Sequence, residues 1–209
     1  MGNEGLLYIV SAPSGTGKTT LLKRVMSSLP DIWFSISYTT RPPRPGERNG
    51  EDYHFVSKER FQQMVNKGAF AEWAEVFGNR YGTALESIRE SRSRGVDLIL
   101  DIDSQGARQI KEHFNGGIFI FILPPSLDAL KQRLRARGVD GQGVIHSRVA
   151  KARDEMKHAK WYNYIIINDR VEEAAEQLKS IIVAERCRRE RFLERMSSSA
   201  EGGPWRGLL

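Results

Sequence analysis

At 209 residues, 40% hydrophobic and 28% charged, the chain has the make-up of an ordinary globular protein large enough for one α/β domain with insertions, which excludes disordered and collagen-like readings. The single cysteine, Cys187, cannot form an intramolecular disulfide, and the first apolar run, Leu6 to Val10, is far too short for a signal segment or a membrane span, so a reducing cytoplasm is the expected setting. A formal charge of +6 points to an anionic partner without saying whether it is a nucleotide or a polynucleotide.

Leu6 to Val10 reads as a buried strand, and Leu21, Leu22, Val25 and Met26 give Thr19 to Leu29 the spacing of a helix. Between them lies Ser11-Ala12-Pro13-Ser14-Gly15-Thr16-Gly17-Lys18-Thr19-Thr20. A strand, a glycine-rich loop and a helix in that order form a phosphate-binding loop. Its glycines let backbone N–H groups turn toward a β-phosphate, Lys18 reaches the β and γ oxygens, and the Thr19 hydroxyl ligates Mg²⁺. Ala12 replaces the first glycine of the strict pattern, but it sits at the strand exit, and the phosphate-wrapping Gly15 and Gly17 are kept.

From about Ser35 to Glu90 the texture changes. Ser35 to Thr40 alternates, Arg41 to Gly50 is rich in Pro, Gly and Arg, and Asp52 to Val56 reads as another short strand, together an inserted and mostly β subdomain. Arg41 and Arg44 lie on its proline-stiffened stretch, where stiffness lowers the ordering cost of presenting guanidinium forks to a phosphate. Tyr53 and Tyr81 add phenol hydroxyls.

Val96 to Ile102, Gly117 to Leu123 and Tyr164 to Ile167 are further buried-strand candidates, and such near-continuous apolar runs separated by helices indicate a parallel sheet covered on both faces. Asp101 closes its strand where a carboxylate either holds metal-bound water or caps the next helix. Asp103 has the same side-chain parity, so both are expected to face one cleft. After Pro125, Leu127, Leu130 and Leu134 form a helical stripe, with Arg133 and Arg137 a turn apart on another face. A final helix is expected from Val171 to Arg195, followed by a frayed tail. Its arginines from Arg186 onward are interleaved with Glu185, Glu190 and Glu194, the pattern of a solvated face laced with ion pairs and not of an RNA-binding stripe. His54, His113, His146 and His158 have no metal-ligand spacing.

The phosphate loop, Ser37 to Glu47, Glu72, Gly78-Asn79-Arg80-Tyr81-Gly82-Thr83, Ile99 to Gly106 and Ile167-Asn168-Asp169 together resemble the guanylate kinases in order and spacing, over about Leu6 to Glu185. The most specific part is T-T-R-x-P-R-x-G-E, here Thr39 to Glu47, followed by D-Y-x-F at Asp52 to Phe55; the bacterial cytoplasmic enzymes are most alike. The resemblance implies an α/β P-loop NTPase core with a parallel sheet flanked by helices (1–34, 91–125 and 156–195), an inserted, mostly β GMP-binding subdomain (35–90), a helical lid (126–155) and a flexible tail (196–209). It implies phosphoryl transfer from ATP to GMP or dGMP with Mg²⁺, by a monomer or homo-oligomer, with no nucleic acid polymer and no membrane as partner. Lys18, Arg44, Arg133, Arg137 and Arg148 would be catalytic. Ser11 to Thr20 and Asn168 would bind ATP, with Asn168 near the adenine. GMP would be held by Ser37, Arg41, Arg44, Glu47, Tyr53, Glu72, Tyr81, Thr83, Asp101 and Asp103. Thr19 and, through water, Asp101 would hold the metal.

Two departures from the family pattern stand out. Gly138-Val139-Asp140-Gly141-Gln142-Gly143 replaces the usual acidic and hydroxyl residues of the lid, which loosens it, and Arg170 stands where an acid often follows Asn-Asp. Three rivals remain at this stage: a phosphopeptide-binding module of the same fold, a polynucleotide-binding ATPase, and a kinase for another monophosphate such as AMP or dTMP. The intact Lys18-Thr19 loop speaks against the first, and the lack of a helicase-sized second core against the second.

Overall fold

The computed structural model describes residues 4–114, 116–136 and 142–198; Arg137, most of the glycine-rich stretch after it and the end of the tail lie outside these. The core sheet has the order β2-β7-β1-β8-β9, with β1 Leu7–Ser11, β2 Ile32–Phe34, β7 Asp97–Asp101, β8 Gly117–Leu123 and β9 Tyr164–Ile167, each pairing parallel. Central β1 is buried along its whole length, and strand geometry sends alternate residues to opposite faces. Tyr8 and Val10 cluster with Leu21, Leu22 and Val25 of α1 (Lys18–Met26) and Ala174, Leu178 and Ile182 of α7 (Val171–Arg186). Leu7 and Ile9 cluster with Ile88 of α3 (Leu85–Ser93) and Ala107 and Ile110 of α4 (Ser104–His113). The expected parallel sheet with helices on both faces is therefore present. The short β2 went unread because three residues after Asp31 carry no periodicity.

Between β2 and β7 the chain builds a second sheet in the order β4-β3-β6-β5, from β3 (Tyr38–Thr39), β4 (His54–Phe55), β5 (Phe70–Val76) and β6 (Asn79–Ala84). The insertion also contains α2 (Lys58–Asn66), which the sequence reading did not identify. Ser57 caps it, accepting from the Arg60 N–H at 3.1 Å, and it buries Phe61 and Met64. Phe61 stacks on Phe70 with centroids 4.6 Å apart, which fastens α2 to β5. β5 and β6 join through Phe77-Gly78, whose φ values are 50° and 74°. A two-residue hairpin turn asks for positive φ at both positions, and for a side chain with a Cβ this costs about 1–2 kcal/mol. α5 (Leu127–Ala136) and α6 (Gln142–Met156) share a small core of Leu130, Leu134, Ile145 and Ala152.

The expected single C-terminal helix is two, α7 and α8 (Arg189–Ser198), broken at Cys187 and Arg188. Arg186 is drawn inward. Its Nε donates to Asp97 Oδ2 at 2.7 Å, and an Nη donates to the carbonyls of Pro30 and Asp31. Glu185 is buried and accepts from the Tyr164 hydroxyl at 2.5 Å while pairing with Arg188. The arginine-rich stretch is thus partly an internal polar anchor instead of a uniformly solvated face. Asp97 is buried and also accepts from the Leu6 N–H at 2.7 Å, so it ties β1, β7 and α7 together. Asp97→Ala removes the acceptor of Arg186 Nε and of that N–H, and should destabilise the fold by roughly 2–4 kcal/mol in urea unfolding with little change in kcat of the folded fraction.

Candidate active site

β1 and β7 end side by side, with Val10 opposite Asp101, so the loop after β1 and the acidic end of β7 share one crevice. Gly15 and Gly17 have φ of 92° and 93°, a region closed to most residues with a Cβ. Gly17 caps α1 without any side-chain bond, which leaves N–H groups at the helix start for an anion. The loop is braced from behind. The Thr16 hydroxyl donates to the Pro13 carbonyl at 2.7 Å, and the Thr16 carbonyl accepts from Asn168 Nδ2 at 2.8 Å and Arg133 Nη at 3.1 Å. Arg133 also donates to the carbonyls of Asn168 and Asp169. Lys18 forms an ion pair with Asp101, and its Nζ donates to the Ile102 carbonyl at 3.3 Å.

A cleft of about 410 Å³ runs from this loop to the inserted sheet. Ser37, Arg44, Tyr53, Glu72 and Tyr81 line its far end, Asp101 and Asp103 its floor, and Arg148, Lys151, Ala152 and Glu155 of α6 its other wall. Glu72 is only 4% exposed, and the Thr83 hydroxyl donates to its Oε1 at 2.6 Å. Burial pushes the Glu72 carboxyl up to about 7, against the opposing pull of the Thr83 hydrogen bond. A Cβ on Gly106 would lie 2.2 Å from Glu72 Oε2, so only glycine lets α4 approach this carboxylate. Asp103 caps α4, accepting from the N–H groups of Gln105 and Gly106 at 3.1 and 2.9 Å. Burial and the nearby Asp101 push the Tyr53 phenol up to about 12, which keeps it a hydrogen-bond donor.

The expected residues thus fall into two layers. Ala12 to Thr19, Ser37, Arg44, Tyr53, Glu72, Tyr81, Asp101, Asp103 and Arg148 line the cleft. Ser11, Thr20, Arg41, Glu47, Thr83, Arg133 and Asn168 do not, and several of them brace the residues that do. Arg41 donates to both Glu47 oxygens at 2.9 Å, and Glu47 also accepts from the Arg44 N–H at 2.7 Å, so this pair shapes the turn that presents Arg44. Asn168 grips the loop backbone and Arg133 the same carbonyl. Helix capping, one of the two readings offered for Asp101, falls to Asp103 instead, and Asp101 pairs with Lys18. Arg170, the departure from pattern, pairs with Glu173 at 2.8 Å. Arg137 lies outside the described residues.

Phe77, Lys151 and Glu155 also line the cleft and were not anticipated. A signal existed for α6: Arg148, Lys151, Ala152 and Glu155 follow i, i+3, i+4, i+7 spacing and so share one face. Thr19 and Asp101 supply hard oxygen donors at the loop, and among the described residues no cluster of three His, Cys, Asp or Glu adds to them. Such a sparse set fits Mg²⁺, which takes one or two protein oxygens and completes its shell with water and phosphate.

A phosphate loop on the central strand of a parallel sheet, facing a second polar pocket across one cleft, defines a P-loop nucleotide phosphotransferase. The profile of the guanylate kinase family matches residues 4–185. The chain is 53% identical over 203 residues to a guanylate kinase of Geobacter metallireducens, covering 97% of this chain and 100% of that one. It is also 53% identical over 197 residues to one from Geobacter sulfurreducens, covering 94% and 97%. The crystal structure of guanylate kinase from Anaplasma phagocytophilum matches with a TM-score of 0.76 at 33% identity, covering 91% of each chain. The chain belongs to the guanylate kinase family. Among the described residues no helix is long and apolar enough to cross a membrane.

Gly106→Ala should displace Glu72. Steady-state kinetics should show kcat/KM for GMP falling at least about tenfold while KM for ATP stays near the parent value, since the phosphate loop is untouched.

Proposed function

We propose that this guanylate kinase joins ATP and GMP in the single cleft, with the phosphate loop taking ATP and Glu72 selecting the guanine. The observation that supports the second half is a carboxylate 96% removed from solvent in a cleft that also presents Arg44, Tyr53 and Tyr81. Guanine offers two adjacent donors, N1–H and the 2-amino group, to the two acceptors of an ionised carboxylate. Adenine has an acceptor at N1 and no 2-amino group, and its binding would leave a buried carboxylate poorly paired, a mismatch on the scale of about 10⁴ in discrimination. Recognition by base and phosphate extends the reading to dGMP.

Ser37, Thr83 and Asp103 support the guanine end, while Arg44, Tyr53 and Tyr81 hold the GMP phosphate and Arg41, through Glu47, aims Arg44 at it. A phosphate monoester has its second pKa near ~6, so the attacking oxygen is already largely ionised at neutral pH and no general base is needed. The difficulty is bringing two polyanions into line, which Lys18, Arg44, Arg133, Arg137 and Arg148 relieve by positioning and by charge. Thr19 and, through water, Asp101 would hold Mg²⁺, which supplies neutralising charge between the phosphates when bound. In this reading residues 35–90 form the GMP-binding part and 126–155 a lid that excludes water. The bacterial relatives and the exposed thiol of Cys187 support a cytoplasmic setting.

Lys18→Ala should lower kcat by about 10² to 10⁴, the scale of one preorganised charge contact, with the GMP dissociation constant nearly unchanged; undiminished turnover would remove the loop assignment. Glu72→Gln turns one acceptor into a donor, and kcat/KM for GMP should fall steeply while ATP binding stays near the parent value. The carboxyl also predicts a pH dependence. Below about 7 Glu72 is protonated in the free protein and meets the guanine donors with one acceptor fewer, so GMP binding weakens as pH falls. The folded state takes up this proton more readily than the unfolded chain, so the same group lowers stability as pH rises through about 7. Plots of kcat/KM for GMP against pH should show this limb in the parent, and in Glu72→Gln only the limb of the GMP phosphate near ~6.

A further inference from the structure

Phe77 is hard to account for locally. It occupies the first position of the two-residue turn between β5 and β6 at φ 50°, where Asn, Asp or Gly would sit without strain, and its side chain is left 55% exposed. A bulky residue held in a sparsely populated conformation at the rim of a functional cleft points to a use for the side chain itself. The neighbours of the ring say what that use is. Lys151 Nζ lies 4.5 Å from the ring centroid and Arg148 Cζ lies 5.7 Å from it, both from the cleft-facing side of α6. Lys151 in turn pairs with Glu155 at 3.8 Å one turn further along the helix.

The hairpin that ends in Phe77 carries Glu72 on β5 and Tyr81 and Thr83 on β6, the residues assigned to GMP. The helix that presses cations on the ring carries Arg148, assigned to the transferring phosphoryl group. We infer that Phe77 is a positioning residue that clasps the GMP-binding hairpin to α6 through its π face and so sets Arg148 over the cleft. This inference rests on the guanylate kinase reading and extends it to a cleft-lining residue assigned to neither nucleotide. The ring's negative face attracts both cations without neutralising them. An acid at this position would hold the arginine more tightly and compete with the substrate. A small residue would remove both ring contacts to α6. The contact also links the two halves of the reaction: a hairpin ordered by guanine carries the ring, and the ring carries the arginine.

The test uses the full-length enzyme with Phe77→Asn, Phe77→Leu and Phe77→Trp. Asparagine suits the turn better than phenylalanine, so Phe77→Asn is expected to keep or raise Tm, and loss of activity in it is not loss of fold. With the clasp, Phe77→Asn and Phe77→Leu lower kcat about tenfold while the GMP dissociation constant stays within about twofold, and Phe77→Trp, which restores a π face, recovers most of kcat. On an Arg148→Ala background, Phe77→Asn should add little further loss, because the ring acts through that arginine. Parental kcat in Phe77→Asn, equal activity of the leucine and tryptophan variants, or fully additive losses with Arg148→Ala would each overturn the inference. If the parent enzyme itself fails to phosphorylate GMP, the reading beneath it falls instead, and the clasp with it.

Discussion

The carbonyl oxygen of Thr16 accepts from two donors that arrive from distant parts of the chain, Asn168 just beyond β9 and Arg133 on α5. A loop with glycines at left-handed φ has many conformations open to it, and fixing one of them costs conformational entropy that the loop cannot recover alone. The two hydrogen bonds supply the constraint. The same Arg133 side chain reaches the carbonyls of Asn168 and Asp169, so loop, sheet edge and α5 form one unit. Gly17 then starts α1 with its N–H groups free of side-chain caps, and Lys18 projects from the first turn into the crevice.

Charge within the cleft is matched in advance of any substrate. Lys18 rests on Asp101, and Lys151 on Glu155 and Phe77. A phosphate entering the loop as proposed would exchange one partner of Lys18 for another, so the lysine would not be a bare cation in a partly desolvated site. The Arg41 and Glu47 pair acts differently. It closes the proline-rich turn on itself, and because Glu47 also accepts the Arg44 N–H, the ion pair aims Arg44 and leaves its guanidinium to the cleft. Glu72 stands apart, held by hydrogen bonding from Thr83 in a buried setting that raises its affinity for a proton. Under the proposed function, guanine's N1–H and exocyclic 2-amino group would complete its pairing.

Much of this was legible in sequence because the signals were local. Gly117–Leu123 and Tyr164–Ile167 appear as strands with the bounds read from their apolar runs, and the loop before Lys18 sits where strand and helix spacing demanded. Burial on both faces removes alternation and leaves a continuous apolar run, which is what a parallel sheet looks like in sequence. What escaped was set by tertiary contact. α2 has a modest apolar content, and its place is fixed by Phe61 stacking on Phe70. α7 ends at Arg186, whose side chain is drawn inward by Asp97, far away in sequence. The layering of the site was hidden for the same reason: residue type marked Arg41, Glu47, Thr83 and Asn168 as polar and interesting, but only the packing separates braces from lining. Phe77 offered nothing in sequence beyond an aromatic before Gly-Asn, since its meaning lies in the cations across the cleft.

The central claim is that one cleft holds both nucleotides, with Lys18 turning from Asp101 to phosphate and Glu72 meeting the guanine. A crystal structure of the protein with GMP and a non-hydrolysable ATP analogue tests it directly. The account predicts guanine N1 and the 2-amino nitrogen within hydrogen-bond distance of the two Glu72 oxygens, and Lys18 Nζ on the β- and γ-phosphate oxygens. Guanine bound away from Glu72, or Lys18 still paired with Asp101 beside a filled phosphate loop, would contradict it.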